Sequence, residues 1–188
     1  MKNLVYSEDF QELDFSGQKV DNDYEECAFS SCNFSESKLN GVNFINCTFI
    51  DCNLSNAVLR NTSFQEATFQ DCKLLGLKFS ACSSFLLSLS FEKCMLDFSS
   101  FYQLNMSTSS FNGCRLKDVD FTQCNLSGVY LANCDLTGAS FEDTNLHKAD
   151  LSTAYGFSID PQLNNVKQAT FSRDGLAGLL TKYSLNIE

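Results

Sequence analysis

The sequence predicts an all-β solenoid, in which short strands coil around one long core. A large apolar residue returns every five positions from Cys27 to Cys82, and a smaller residue stands two positions before nearly every one of them. An α-helix repeats at about 3.6 residues and a flat strand at about two, so neither produces this pattern. A fixed short period sustained over many repeats is typical of a solenoid.

Length and composition agree with one domain that has a substantial core. The chain has 188 residues, of which 44% are hydrophobic, so a disordered chain is not expected. The first ten residues, MKNLVYSEDF, lack the apolar segment of a signal peptide, and no apolar run reaches the roughly 18 residues that span a bilayer. We therefore expect a cytoplasmic protein that makes no membrane contact.

Residues 1–26 contain weaker repeats, in which Leu13, Phe15 and Val20 fit loosely and the register slips before Tyr24. This stretch is strongly acidic. Most of the net negative charge lies in this stretch, whereas the charges of residues 61–130 nearly balance. The acidic surface could serve solubility rather than binding. The candidate acidic surface consists of Asp21, Asp23, Glu25, Glu26, Asp51, Glu66 and Asp71.

The regular repeats form two blocks separated by an interruption. From Phe79 to Phe91 there are twelve residues, two more than two pentapeptides, so the sequence predicts a small loop within residues 83–90 that projects from the rod. The candidate partner-contact loop is Ser83, Ser84, Phe85, Leu86, Leu87 and Ser88.

Nine of the ten cysteines occupy the small position two residues before a central Phe or Leu, and Cys82 continues the same five-residue phase at the point where the first block ends. Free cysteine packs as a small buried hydrophobe, so we interpret them as core thiols rather than disulfides or metal ligands. The only histidine, His147, is expected on the surface, and Asp120, Asp135 and Asp150 are expected to bond nearby backbone at corners. No catalytic, metal or cofactor motif is present, so no enzyme activity and no cofactor are predicted.

The C-terminal residues 172–188 are predicted to form a separate element. Ser172 is placed to cap a short helix with one apolar face, and Leu185 and Ile187 alternate with polar residues like a short strand. This element either caps a monomer or forms a dimer. The residues predicted at a homodimer interface are Leu179, Leu180, Tyr183, Leu185 and Ile187.

Units such as CNLSG, CDLTG and ADLST resemble the pentapeptide-repeat family over about residues 13–171. The resemblance implies a right-handed quadrilateral β-helix over residues 1–171, with four pentapeptides in each coil. Residues twenty apart should then stack, and a position two after the centre should form each corner. The expected aromatic ladders are Phe29, Phe49 and Phe69 in the first block, and Phe101, Phe121 and Phe141 in the second.

The single interruption and the tail DPQLNNVKQATFSRDGLAGLLTKYSLNIE resemble the subgroup that confers resistance to topoisomerase poisons. This subgroup includes the quinolone-resistance Qnr proteins and the albicidin and microcin B17 immunity proteins. The resemblance implies a DNA-mimicking homodimer that binds DNA gyrase, with topoisomerase IV as a second target, and not DNA itself. The chain lacks the longer loops of the quinolone-resistance members, which favours the albicidin or microcin branch. The alternative is a repeat scaffold that binds some other protein.

The charge of the chain matches DNA in sign more than in density. Eight coils spaced by about 4.8 Å would give a rod of roughly 38 Å. Duplex DNA of that length carries roughly 22 charges, whereas the net charge of this chain is −10. We expect any likeness to DNA to lie in the diameter of the rod and in the negative sign of its charge.

Overall fold

The computed structural model describes residues 2–186 and shows a solenoid of about eight coils in which all strand pairs are parallel. The strands are short because a corner interrupts the chain after every five residues. In chain order, the described strands are Leu4–Tyr6 (β1), Asp9–Gln11 (β2), Asp23–Glu25 (β3), Ala28–Ser30 (β4), Asn43–Ile45 (β5), Thr48–Ile50 (β6), Ser63–Gln65 (β7), Ala67–Gln70 (β8), Leu89–Glu92 (β9), Ser110–Asn112 (β10), Leu131–Ala132 (β11), Asp150–Leu151 (β12) and Thr170–Phe171 (β13).

The register confirms four pentapeptides per coil. Phe29 pairs with Phe49 and Phe49 with Phe69, each twenty residues further along. One sheet has the order β1-β3-β5-β7, a second has the order β11-β10-β9-β8-β6-β4-β2, and β12 pairs with β13. Isolated bridges such as Asn33 to Asn53 continue the same pairing on the remaining sides. The predicted quadrilateral β-helix is therefore the fold of this chain.

The predicted aromatic ladders are present in the core. Phe29, Phe49 and Phe69 stack with ring centroids 4.9 and 4.8 Å apart, and Phe101, Phe121 and Phe141 stack at 5.3 and 5.4 Å. Rings on neighbouring sides of the square meet edge to face, as Phe44 does with Phe49 at 5.3 Å. Both geometries are favoured by the aromatic quadrupole.

The ten cysteines are free and buried, as predicted. Seven of the thiols lie against a backbone carbonyl of the preceding coil; for example, Cys52 Sγ lies 3.3 Å from the carbonyl oxygen of Phe29. Burial raises the pKa of Cys82 and of Cys124 to about 12. The thiols of Cys82 and Cys124 therefore stay protonated at neutral pH, and all ten side chains fill space in the core.

The predicted corner position, two residues after each centre, adopts positive φ. Asn46 and Asp51 have φ of 52° and 53°, and Gly76 has φ of 68°. Asparagine, aspartate and glycine tolerate this left-handed conformation better than other residues. The corner turns thus explain why these residue types recur at that position.

The first coil begins earlier than the sequence pattern indicated. β1 pairs with β3 and β2 pairs with β4, which places Val5 opposite Tyr24 and Phe10 opposite Phe29, nineteen residues apart. Val5, Phe10 and Phe15 are centres five residues apart that sequence reasoning did not recognise in full. They remain only half-buried because no coil covers them among the described residues.

The interruption leaves the core stack continuous. β9 pairs with β8 so that Phe91 lies beside Phe69, twenty-two residues away, with ring centroids 5.5 Å apart. The two extra residues are accommodated at a corner, after a short 3₁₀ helix over Phe79–Ala81. The prediction that the core would keep its register is confirmed.

The C-terminal element covers the end of the rod with two 3₁₀ helices, Asp174–Leu179 and Thr181–Tyr183. The backbone N–H of Gly175 donates to Ser172 Oγ at 2.9 Å. Ser172 therefore bonds the first turn as expected, but from one position before the N-cap, which is Arg173 and makes no side-chain cap. The Ile159 N–H donates to the Gly178 carbonyl, also at 2.9 Å. The predicted terminal strand depended on Leu185, which lies in an irregular exposed segment, and on Ile187, which lies outside the described residues.

Candidate functional site

The projecting loop lies at the end of one acidic corner of the square. Glu26, Asn46 and Glu66 occupy successive coils at this corner, all with positive φ, and Leu86 of the loop has the same left-handed conformation. We call the residues Glu26, Asn46 and Glu66 the Glu66 corner. The sequence singled out the loop and the acids separately, and the structure brings them together.

A second acidic corner flanks the other edge of the same side. Ser31, Asp51 and Asp71 stack there in successive coils, and Ser31 Oγ lies 3.3 Å from Asp51 Oδ2. We call these residues the Asp51 corner, and the side between the two corners the Phe49 side, after its central ring. Its outward-facing side chains over two coils are uncharged: Thr48, Ile50, Thr68 and Gln70. The arrangement is two rows of carboxylates with an uncharged strip between them.

The remaining predicted acids are placed differently. Glu25 lies next to the Glu66 corner and is half-buried. Asp23 accepts a hydrogen bond from the Asn43 N–H at 2.8 Å and lies 3.3 Å from Lys2 Nζ, so its charge is largely compensated. Asp21 lies on a different side of the square, where it pairs with Lys19. Asp21 and Asp23 therefore add little to the two acidic rows.

The Glu66 corner is strongly negative at its outer end. Tyr6 Oη donates to Glu26 Oε2 at 2.9 Å, and this hydrogen bond, together with the nearby charge of Glu26, raises the pKa of Tyr6. A negative neighbour disfavours formation of a second negative charge. The Tyr6 hydroxyl therefore remains a hydrogen-bond donor at physiological pH.

A cavity of about 500 Å³ separates the loop from the Glu66 corner. Its walls combine apolar groups with amide, carboxylate and hydroxyl groups, which suits a protein segment better than a single small charged molecule. Sequence reasoning did not assign Ile45, Asn46, Gln65 or Thr108 to a site. These four residues lie twenty positions from predicted loop or acidic residues, and this spacing would have been sufficient to identify them. The lining residues are Ile45, Asn46, Gln65, Glu66, Leu86, Leu87, Ser88 and Thr108.

Only part of the predicted loop is available for contact. Phe85 and Leu86 are 70% and 63% exposed, whereas Leu87 is 6% exposed and belongs to the core. Ser88 is half-buried, and its N–H donates to the Phe64 carbonyl. Leu87 fills the core where the regular repeat lacks a centre, because a gap there would be costly. The assignment of Leu87 to a contact surface is therefore wrong, and the projecting part is residues 83–86.

Among residues 2–186, no group of three or more His, Cys, Asp and Glu side chains is arranged to hold a metal ion. Asp120 and Asp150 each accept the N–H two residues ahead, at 3.0 and 2.8 Å, which confirms their predicted corner role. Asp135 does the same for Thr137 at 3.1 Å. His147 Nδ1 lies 2.9 Å from the Lys167 carbonyl oxygen at the surface. No helix in the described part of the chain is long and apolar enough to cross a membrane.

Comparisons with known proteins place the chain among repeat proteins. The family pattern described as pentapeptide repeat region matches residues 22–84, and the pattern for eight copies of the pentapeptide repeat matches residues 114–152. No sequence among the curated proteins matches the chain.

Among solved structures, two trypsin-treated forms of QnrB1, a plasmid-mediated fluoroquinolone resistance protein, are similar. They have TM-scores of 0.66 and 0.63 and identities of 17% and 19%; each match covers 100% of this chain, and 100% and 98% of the respective QnrB1 chain. HetL, a pentapeptide repeat protein involved in heterocyst differentiation regulation in the cyanobacterium Nostoc, aligns at 19% identity over 92% of this chain and 90% of its own, with a TM-score of 0.46. At these identities, the QnrB1 likeness shows a shared fold.

Proposed function

This chain belongs to the pentapeptide-repeat family, and on that basis we propose that it is a non-catalytic cytoplasmic protein that binds DNA gyrase and protects the enzyme from an inhibitor. The observation that carries the proposal is the Phe49 side, where two acidic rows flank an uncharged strip on a straight rod. This surface presents carboxylates in place of phosphates to a protein that binds duplex DNA.

The spacing of carboxylates within each row sets how closely the rod can imitate DNA. Glu26 and Glu66 are two coils apart, about 10 Å at the usual strand separation, while Asp51 and Asp71 are one coil apart, about 5 Å. Along one DNA strand the charges are about 3.4 Å apart on the helix axis, and both strands together carry one charge per roughly 1.7 Å of axis. The rod therefore carries fewer negative charges per unit length than DNA, and it would compete with DNA for gyrase only if further contacts contributed to binding.

The loop supplies such contacts. Phe85 and Leu86 are exposed at the end of the Glu66 corner, beside the 500 Å³ cavity. Apolar anchors that enter a partner contribute most of the energy of many interfaces. We propose that the carboxylate rows orient gyrase and that the loop anchors it. The inhibitor class proposed is of the albicidin or microcin type, with quinolones, prompted by the QnrB1 likeness, as the second candidate.

The test is DNA supercoiling by purified gyrase in the presence of albicidin, microcin B17 or ciprofloxacin. We expect the protein to restore supercoiling with at least one inhibitor. The variant Glu26→Gln, Asp51→Asn, Glu66→Gln, Asp71→Asn should require about tenfold more protein for the same effect, because the steering charge is removed. A variant with equal charge loss elsewhere, Glu36→Gln, Asp118→Asn, Glu142→Gln, Asp143→Asn, should protect normally. Equal loss in both variants, or no effect of the native protein, would contradict the proposal.

A second variant tests the loop. Phe85→Ser with Leu86→Asn removes the apolar surface, while asparagine suits the left-handed conformation at that position. Protection should fall about tenfold or more with no loss of thermal stability. The control, Phe98→Asn, removes an exposed aromatic residue at another corner and should leave protection unchanged. If the loop variant protects as well as the native protein, the loop is not an anchor.

A further inference from the structure

Four cations lie on the side of the square opposite the Phe49 side. This side has Leu39, Leu59, Phe79 and Phe101 at its centre, ten residues on from the Phe49 side in each twenty-residue coil, and we call it the Leu59 side. Lys19 pairs with Lys38, and Lys38 pairs with Val58, in adjacent coils. Arg60 lies on the same coil as Val58, Lys78 lies on the coil after it, and all four cations are exposed. We call Lys19, Lys38, Arg60 and Lys78 the basic strip.

Three of these cations have no carboxylate partner within residues 2–186. Lys38, Arg60 and Lys78 make no ion pair there, and Lys19 pairs only with Asp21 on its own side. Elsewhere on the rod Arg115 pairs with Asp97 and Lys117 with Asp135, whereas Lys73, Lys148 and Lys167 also make no ion pair within residues 2–186. Like charges in directly opposed positions of neighbouring strands destabilise the pairing. Lys19 and Lys38 are opposed in this way. The basic strip is therefore distinguished by its arrangement, four cations in consecutive coils of one side in a chain with net charge −10, and the stability of the rod does not explain that arrangement.

A recess lies within the basic strip. It has a volume of about 310 Å³ and is lined on its apolar side by Ala57, Val58 and Leu59, with Arg60 and Lys78 among its polar walls. Gly76, which has no side chain, lines the corner of the recess. An apolar floor with guanidinium and ammonium groups beside it suits a carboxylate carried on an extended peptide.

We propose that the basic strip is a docking surface for a short acidic segment of a partner protein. The strip spans four coils, about 14 Å, which is the length of roughly four extended residues. The column then continues through Ser100 and Asp120 to Ser140. A long polyanion such as nucleic acid would run onto Asp120, whereas a short acidic peptide would not.

The acidic rows do not prevent this binding. Opposite backbone layers of a β-helix are separated by about 10 Å, and the side chains extend further on both sides. At physiological salt the Debye length is about 8 Å, so the field of the Phe49 side is largely screened at the Leu59 side. The rod therefore presents opposite charges on opposite sides, and this inference is independent of gyrase binding.

The experiment measures fluorescence anisotropy of fluorescein-labelled hexaglutamate, with labelled hexaglutamine as the neutral peptide. We expect hexaglutamate alone to bind, with an affinity that falls as salt rises. The variant Lys38→Gln, Arg60→Gln, Lys78→Gln should weaken binding by about tenfold or more. The control Lys93→Gln, Lys148→Gln, Lys167→Gln has the same change in net charge and should weaken it less than about twofold. Circular dichroism verifies that both variants fold.

Three outcomes would overturn the proposal. Equal weakening in both variants would show non-specific attraction. Tighter binding of a short single-stranded oligonucleotide than of hexaglutamate, lost in the basic-strip variant, would assign the surface to nucleic acid. A molecular mass that grows with concentration in light scattering, and not in that variant, would assign the surface to the acidic side of a second copy.

Discussion

At the scale of single residues, Phe49 shows how the core is built. Its ring stacks on Phe29 and Phe69 in the neighbouring coils and meets Phe34 and Phe44 edge to face. The ring is completely buried. Each inward ring is therefore held by its own coil and by the coils before and after it, so the loss of one ring affects three coils.

We expect Phe49→Ala to reduce the free energy of unfolding by about 3–5 kcal/mol, because the surrounding rings cannot close the cavity. Chemical denaturation of the variant measures this loss. Ile50→Ala is the matched control, because Ile50 is the next residue but faces outward, and its change should stay within about 0.5 kcal/mol. Similar stability of both variants would contradict the inward position of Phe49.

Residue positions in the core could be predicted because a five-residue period fixes which side chains face inward. The period does not fix which outward residues compensate each other's charge. Asp97 illustrates this: it follows a central Leu, yet its side chain is buried against Arg115, whose Nε lies 2.9 Å from Asp97 Oδ1. Such pairs depend both on the stacking of residues about twenty apart and on how far each side chain reaches. The five-residue pattern gives the stacking but not the reach of the side chains.

At the scale of elements, the C-terminal segment is held by packing and by one ion pair. Gly178 lies so close to Phe157 that a Cβ at this position would fall 2.4 Å from the Phe157 carbonyl oxygen. Lys182 Nζ donates to both carboxylate oxygens of Asp160, at 2.8 and 2.9 Å. The Lys182 ammonium lowers the pKa of Asp160, and Asp160 in turn raises the pKa of Lys182.

These shifts define the pH window of the ion pair. Because the pKa of the carboxyl is lowered, its stabilising effect is complete above about pH 4 and is lost as the pH falls through the folded-state pKa. Because the pKa of the lysine is raised, its stabilising effect is complete below about pH 10 and is lost as the pH rises through the folded-state pKa. We therefore expect Lys182→Met to speed amide exchange of Ile159 a few-fold at pH 6, and the difference from the native protein to vanish once the pH has fallen through the lowered pKa of Asp160. NMR-detected hydrogen exchange measures both. Lys148→Met should have no effect at any pH, and a difference that persists in acid would exclude the ion pair as its cause.

The position of the loop could be predicted, but its content could not. The count of twelve residues between Phe79 and Phe91 shows that two residues are extra. Which of the apolar residues projects depends on which one fills the core between Phe64 and Met106. Leu87 does so, and Phe85 and Leu86 remain outside. The packing of the core determines which of these three similar apolar residues is buried, and the local sequence does not distinguish them.

At the scale of the whole molecule, the exposed apolar residues of the C-terminal element predict a homodimer. Leu180, Tyr183 and Leu185 are exposed, whereas Leu179 packs against the core. Of the predicted interface, Ile187 lies outside the described residues. We propose that the exposed three form the contact and that Leu179 serves as a cap.

Light scattering at micromolar concentration should give twice the 21.0 kDa mass of the chain. Replacing Leu180, Tyr183 and Leu185 by Ser should return the mass to that of one chain, because the apolar contact is lost. Tyr102→Ser, which removes an exposed aromatic residue midway along the rod, should leave the dimer intact. A native mass of 21.0 kDa would remove the dimer from the proposed function.

The uninterrupted ring stack also bears on how proteins of this kind change during evolution. Phe69 and Phe91 stack although two residues were added between their coils, so the core tolerates extra residues at corners. Gene duplication or deletion of one twenty-residue unit would therefore lengthen or shorten the rod by a single step of about 4.8 Å and leave the remaining contacts unchanged. The length of such a protein can then change in equal increments of one coil, and each increment also lengthens or shortens the rows of surface residues that the coils carry.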